Sequence, residues 1–243
     1  MRRFLLVAGL LFLAVVSARA GGDPRRETSP TAQALPPAGA DATDQLTFYF
    51  AHLNTAGAIQ ALRAGADPNA LRSGWAPVHA WGRTRNDDPE LVKLMLEKHP
   101  NLNLVSPLGT TPLHKLLAGG DNNRSRKAVA NLLKVFIQAD ADPNIRDGNG
   151  VSPFDLAVER HSPAIVKMLL DSGRVKVNDA DPRTGNTPLH VLVAGGCRHK
   201  EWLAAKIAAL REAGADLSIK NRAGQTPKEL ATVRGCSGAA GAL

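Results

Sequence analysis

Aromatic residues are scarce in this 243-residue chain, where phenylalanine, tyrosine and tryptophan together make up 4%. That leaves few flat side chains to stack on successive bases, which argues against a nucleic-acid partner despite a formal net charge of +8. Cysteine occurs twice, so four ligands at zinc spacing are absent. The chain has no G-x-S-x-G, no H-E-x-x-H, no phosphate-binding glycine loop and no cysteine paired with a plausible base. A non-catalytic protein with no cofactor and no metal is expected. The apolar run Phe4 to Val16 is thirteen residues long, short of the roughly 20 that a spanning helix needs.

That run has a different meaning. Arg2 and Arg3 precede it and Ser17-Ala18-Arg19-Ala20 follows, the pattern of a secretory signal cut after Ala20. Phe4 directly after Arg3 spoils the twin-arginine pattern, and no cysteine follows the run to carry a lipid anchor. Residues 21–43, rich in Ala, Pro, Gly, Thr and Asp, read as a disordered linker. Loss of Arg2, Arg3 and Arg19 with the signal lowers the charge from +8 to +5. An Ala-, Arg- and Gly-rich composition behind a short leader points to a bacterial periplasm. A secreted eukaryotic protein is the other reading, with Asn123-Arg124-Ser125 as a glycosylation acceptor.

Beyond the linker one pattern recurs: a glycine, then a proline three residues later, then an apolar helical segment. It is complete at Gly74/Pro77, Gly109/Pro112, Gly150/Pro153, Gly185/Pro188 and Gly224/Pro227, with spacings between prolines of 35, 41, 35 and 39 residues. Glycine supplies a turn with positive φ, Thr or Ser caps a helix, and proline at the first helical position has no N–H to waste. Second helices begin at Asp88-Pro89 and Ser162-Pro163 and carry apolar residues at helical period. Exits such as Gly65-Ala66-Asp67-Pro68-Asn69 and Asp140-Ala141-Asp142-Pro143-Asn144 close the units.

The whole pattern resembles the ankyrin repeat, a period of about 33 residues once insertions are allowed. The resemblance covers residues 44–236 as about six units, the first and last incomplete, and leaves 237–243 as a flexible tail. It implies an all-α repeat solenoid of stacked helix-turn-helix units with short β-hairpin-like connections. His79, His114 and His190 fall at the family's histidine position, implying a structural bracket, whereas Asp155 and Glu229 replace it. Trp81, Leu116 and Leu192 stand where the family prefers alanine. Trp81 is open to two readings, packing between splayed units or anchoring a partner.

Cys197 and Cys236 each lie nine residues after a motif proline. In the ankyrin arrangement they would share one edge of the stack, which in an oxidising compartment invites a disulfide. Metal binding by the two cysteines with His199 is the competing idea. Basic residues gather where first helices end: Arg83, Arg85, Arg124, Arg126, Lys127, Arg160, Arg198, Lys200 and Arg234. They imply an acidic protein partner or an anionic envelope surface, or they complement helix C-termini. Family members bind proteins through hairpin tips and first helices. The expectation is a monomeric, non-catalytic periplasmic adaptor or protector of an envelope protein. The alternative is an immunity or inhibitor protein that blocks a secreted toxin's active site.

Overall fold

Thr111, Ser152, Thr187 and Thr226 each stand at a helix N-cap with proline at the first helical position. At Thr111, Ser152 and Thr226 the hydroxyl accepts the N–H three residues on. The side chain at that third position takes up the cap residue's own N–H in return. Two donors that a helix start would otherwise orphan are thereby satisfied.

A computed structural model describes residues 35–84, 86–120, 126–195 and 200–243. The helices come in pairs: α1 (Ala42–Ala51) with α2 (Thr55–Arg63), α3 (Pro77–Thr84) with α4 (Pro89–Glu97), and α5 (Pro112–Leu117) with α6 (Arg126–Gln138). They continue as α7 (Pro153–Arg160) with α8 (Pro163–Asp171), α9 (Pro188–Ala194) with α10 (Lys200–Glu212), and α11 (Pro227–Val233) with α12 (Ser237–Ala242). First helices stack in the order α1, α3, α5, α7, α9, α11. Second helices form the other layer, α2 on α4 and α6 through α8 and α10 to α12. Each second helix returns to the next first helix through an extended finger with a tight turn at its tip. Among the described residues no strand forms, and one isolated bridge, Arg72 to Trp75, closes the first finger. The expected all-α solenoid is therefore the fold.

The motif glycines sit at the finger tips with φ from 70° to 80°. At Gly109 a side chain is excluded twice over, since a Cβ would also lie 2.6 Å from the Gly148 nitrogen of the next finger. Between the layers lies a continuous apolar core that includes Val78, Leu91, Leu113, Leu132, Phe136, Val166 and Leu210. Each such side chain contributes about 1.5–3 kcal/mol when fully buried.

Polar side chains lace the units together in two directions. At the helix exits, Asn69 Nδ2 donates to the His99 carbonyl of the next unit while its Oδ1 accepts the Asn101 N–H. Asn103, Asn144 and Asn178 repeat this double bond one unit further each time. These side chains reach forward. At the ends of the first helices they reach back: His161 Nε2 donates to the Leu117 carbonyl at 2.8 Å, and Lys206 Nζ to the Val158 carbonyl at 2.8 Å. Both groups are buried.

The boundaries differ slightly from expectation. Asp41 caps α1 and Thr43 is buried inside it, so the ordered stack starts before residue 44. Residues 237–243, expected as a flexible tail, instead supply α12, which packs on α10 and α11. Small residues make that possible, since Ala239 is fully buried at close approach. The signal expected at residues 1–20 and most of the expected linker lie outside the described residues.

Candidate functional site

The family histidines are built into the backbone. Nε2 of His79, His114 and His190 donates to the carbonyls of Leu104, Val151 and Gln225, each in the following finger, at 2.9 to 3.0 Å. The donating Nε2 leaves Nδ1 as the acceptor, and it takes the N–H of Ala76, Thr111 or Thr187. Burial holds all three imidazoles below the usual histidine pKa, so they are neutral brackets.

Trp81 is fully buried, so it is not a partner anchor. Its ring lies 5.1 Å from that of Phe136, and Nε1 donates to the Asn86 carbonyl. The longer connection after α3 provides that carbonyl, and Asn86 and Asp87 tie it to Thr55 and Asn131. Leu116 and Leu192 are likewise core residues.

The basic edge is partly in view. Arg83 is exposed at the end of α3, and Arg126 and Lys127 at the start of α6. The Arg126 guanidinium lies 5.7 Å from the Trp202 ring centre. Arg160 is tied down, donating to the Ala118 carbonyl and to Glu159. Lys200 opens α10. Arg85, Arg124, Cys197, Arg198 and His199 lie outside the described residues. Cys236 is 2% exposed and is not a free thiol.

The face formed by fingers and first helices changes character along the stack. Leu71, Trp75, Val105 and Leu108 are exposed at the first two tips, which touch where Gly74 meets Pro107. The Lys115 ammonium of α5 lies 4.8 Å from the Trp75 ring centre, a cation–π placement. Burial, and next the Arg83 charge, lower its pKa. Further along, Arg146 is nearly buried and bonds Asp155, Asp179 and the Gly150 carbonyl. Sequence reasoning missed Arg146, whose only signal was a basic finger residue nine positions before an aspartate in the histidine's place.

The family described as Ankyrin repeats (3 copies) matches residues 78–181 and 123–221. The chain belongs to the ankyrin-repeat family. Among curated proteins it is similar to human B-cell lymphoma 3 protein, 29% identical over 140 residues, covering 56% of this chain and 28% of that protein. It is also similar to human ankyrin repeat domain-containing protein 63, 33% identical over 107 residues, with 44% and 27% covered. The chain thus spans under a third of the length of these relatives. Among solved structures, EF0377, an ankyrin repeat protein, superposes with a TM-score of 0.66 at 22% identity, covering 82% of this chain and 96% of that one. A chain from the complex of the Bd0816 predatory endopeptidase of Bdellovibrio bacteriovorus with immunity protein Bd3460 gives 0.65 at 25% identity, covering 82% and 95%. Ankyrin repeats are protein-interaction modules.

Proposed function

We propose that this chain is a non-catalytic, exported module that binds another protein in the bacterial periplasm, as adaptor or protector of an envelope protein. The observation that carries the binding role is the finger-and-first-helix face. It is a hydrogen-bonded frame whose tips pass from apolar at Leu71, Trp75, Val105 and Leu108 to charged at Arg183 and Arg222. A fixed frame with varied tips lets partner contacts form without an ordering cost. Export rests on the leader of residues 1–20. A Cys197–Cys236 disulfide fits that compartment and the absence of a free thiol at Cys236.

One observation favours a second reading, an immunity or inhibitor protein that occludes a toxin or effector enzyme. The fold is shared with a chain of an endopeptidase–immunity protein complex. Affinity capture of the tagged mature protein from the periplasm of its native host, followed by mass spectrometry, tests both. An envelope protein as the captured species supports the adaptor, and a hydrolytic toxin or effector supports the inhibitor. Recovery of no protein from periplasm under native conditions overturns both.

A further inference from the structure

Asp155 replaces the bracket histidine in the fourth unit, and the replacement leaves a space. By the pattern of His114 on Val151 and His190 on Gln225, a histidine here would reach the Asn186 carbonyl of the next finger. The carboxyl is too short to do so. Arg146 takes over the bracing by reaching Asp179 instead, through both its side chain and its carbonyl. What remains between the two units is a cavity of about 320 Å³, walled by Gly150, Val151, Asp155 and Glu159 on one side and Asp181, Thr184, Asn186, Val191, Ala194 and Gly195 on the other. It opens on the finger-and-first-helix face, at the small end of the roughly 300–1,000 Å³ usual for ligand pockets.

Among the described residues, three carboxylates and no basic side chain contribute to this wall. Asp155 is 3% exposed, and its Oδ2 accepts both Arg146 Nη1 and the Ser152 N–H. Its Oδ1 is buried with no hydrogen-bond partner. A buried carboxylate oxygen without a donor costs about 1–3 kcal/mol or more, and a ligand that brings a donor recovers it. At the rim Glu159 pairs with Arg160 and Asp181 with Arg183, whose guanidinium lies beside Gly150.

We propose that this cavity receives a lysine side chain of the protein partner, with Asp155 Oδ1 as principal acceptor and Glu159 and Asp181 as flanking charges. The proposal rests on the protein-binding reading above. Lysine fits better than arginine because one Asp155 oxygen is already occupied. A guanidinium fork is matched by two free oxygens of one carboxylate, whereas an ammonium shares three rotatable donors among separate acceptors. The apolar stem lies against Val151, Val191 and Ala194.

The test uses the isotope-labelled mature chain, titrated in NMR with the tripeptide acetyl-Gly-Lys-Gly-amide and with its norleucine and arginine counterparts. The expected result is saturable shifts of the Gly150, Asp181 and Gly195 amides with the lysine peptide, none with norleucine, and weaker binding of the arginine peptide. Asp155→Asn weakens lysine binding at least about tenfold, which corresponds to about 1.4 kcal/mol. Asp155→His, which refills the space with the family's own bracket, abolishes it while the melting temperature is kept. Equal shifts with norleucine, arginine binding as tight as lysine, or unchanged binding in Asp155→His each overturn the proposal. Capture from periplasm with wild type and Asp155→His separates the two levels. A partner captured equally by both, with no lysine-peptide binding, overturns the cavity's role and leaves the protein-binding reading standing. A wild type that captures nothing overturns that reading, and the peptide titration then decides the cavity alone.

Discussion

The imidazole of His114 joins two repeat units, its Nε2 3.0 Å from the Val151 carbonyl oxygen and its Nδ1 3.0 Å from the Thr111 nitrogen. Only the neutral ring can make both bonds, because protonation at Nδ1 would set a donor against the Thr111 N–H. Lys115 nearby adds to the burial that disfavours the charged form, and Asp147 opposes it.

Acidification should therefore loosen the stack. His79, His114 and His190 all have folded pKa values below the ordinary 6.5. Above that value the unfolded chain is neutral too, and no stability is at stake. As pH falls below 6.5 the unfolded state takes up protons first. Stability then drops by up to about 1.4 kcal/mol per pH unit for each histidine, until the folded pKa values are passed. Asp155, raised by burial, works in the other sense and regains stability as it protonates. Urea midpoints at pH 7.5, 6.5 and 5.5 should decline below 6.5, and His114→Asn should flatten the decline. A flat profile would mean that the rings do not act as neutral brackets.

Gly82→Ala should be severely destabilising. A Cβ there would lie 2.2 Å from the Pro112 carbonyl oxygen, which is backbone and cannot swing aside, so α3 and α5 must part. The expected cost is about 3 kcal/mol. Gly238→Ala, where a Cβ meets open space, is the control and should gain up to about 1 kcal/mol of helix propensity. Equal melting temperatures for the two variants would contradict the close packing of these first helices.

His99→Gly should stabilise. His99 ends α4 with φ of 48°, where Gly65, Gly173 and Gly214 close other second helices with positive φ. A side chain in the left-handed region costs about 1–2 kcal/mol, and glycine's extra freedom in the unfolded chain takes back about 0.4–1. A net gain near ~0.7 kcal/mol would raise the melting temperature by a few degrees, measurable by calorimetry. A lower melting temperature would show that the imidazole itself contributes to the fold.

Cys236→Ser should cost about 3–4 kcal/mol if a Cys197 bond closes the loop between them. Alkylation of the unfolded secreted protein without reductant should leave its mass unchanged. Two alkylated thiols would exclude the bond.

Replacing Arg124, Arg126 and Lys127 with serine should weaken partner binding at low salt by several-fold and remove its salt dependence, because exposed charges act through a screened field. Circular dichroism should show the fold intact. Binding of the wild type that is insensitive to salt would sink the electrostatic account of this edge.

Most of the frame was legible because glycine, capping hydroxyl and proline each leave one backbone choice, and they recur at matching positions. The histidines were legible for the same reason. Trp81 was not, since its size suits an anchor as well as a core, and only the Asn86 carbonyl and the Phe136 ring across the unit decide it. Nor was His161, since its partner, the Leu117 carbonyl, is 44 residues away. The cavity at Asp155 was visible in sequence only as a missing histidine. That a gap follows depends on Arg146 turning to Asp179 rather than filling it, which no spacing encodes.

The inter-unit bonds run in both directions, so trimming is costly at either end. Loss of a unit from the C-terminal end frees asparagines such as Asn103 or Asn144, whose amides lie near the surface and can turn to water, but it also takes away the carbonyl to which a buried imidazole such as His114 or His190 donates. Loss from the N-terminal end takes away the carbonyls to which Lys206 and His161 donate. A proteolytic nick that removes a unit from either end should thus lower the stability of what remains.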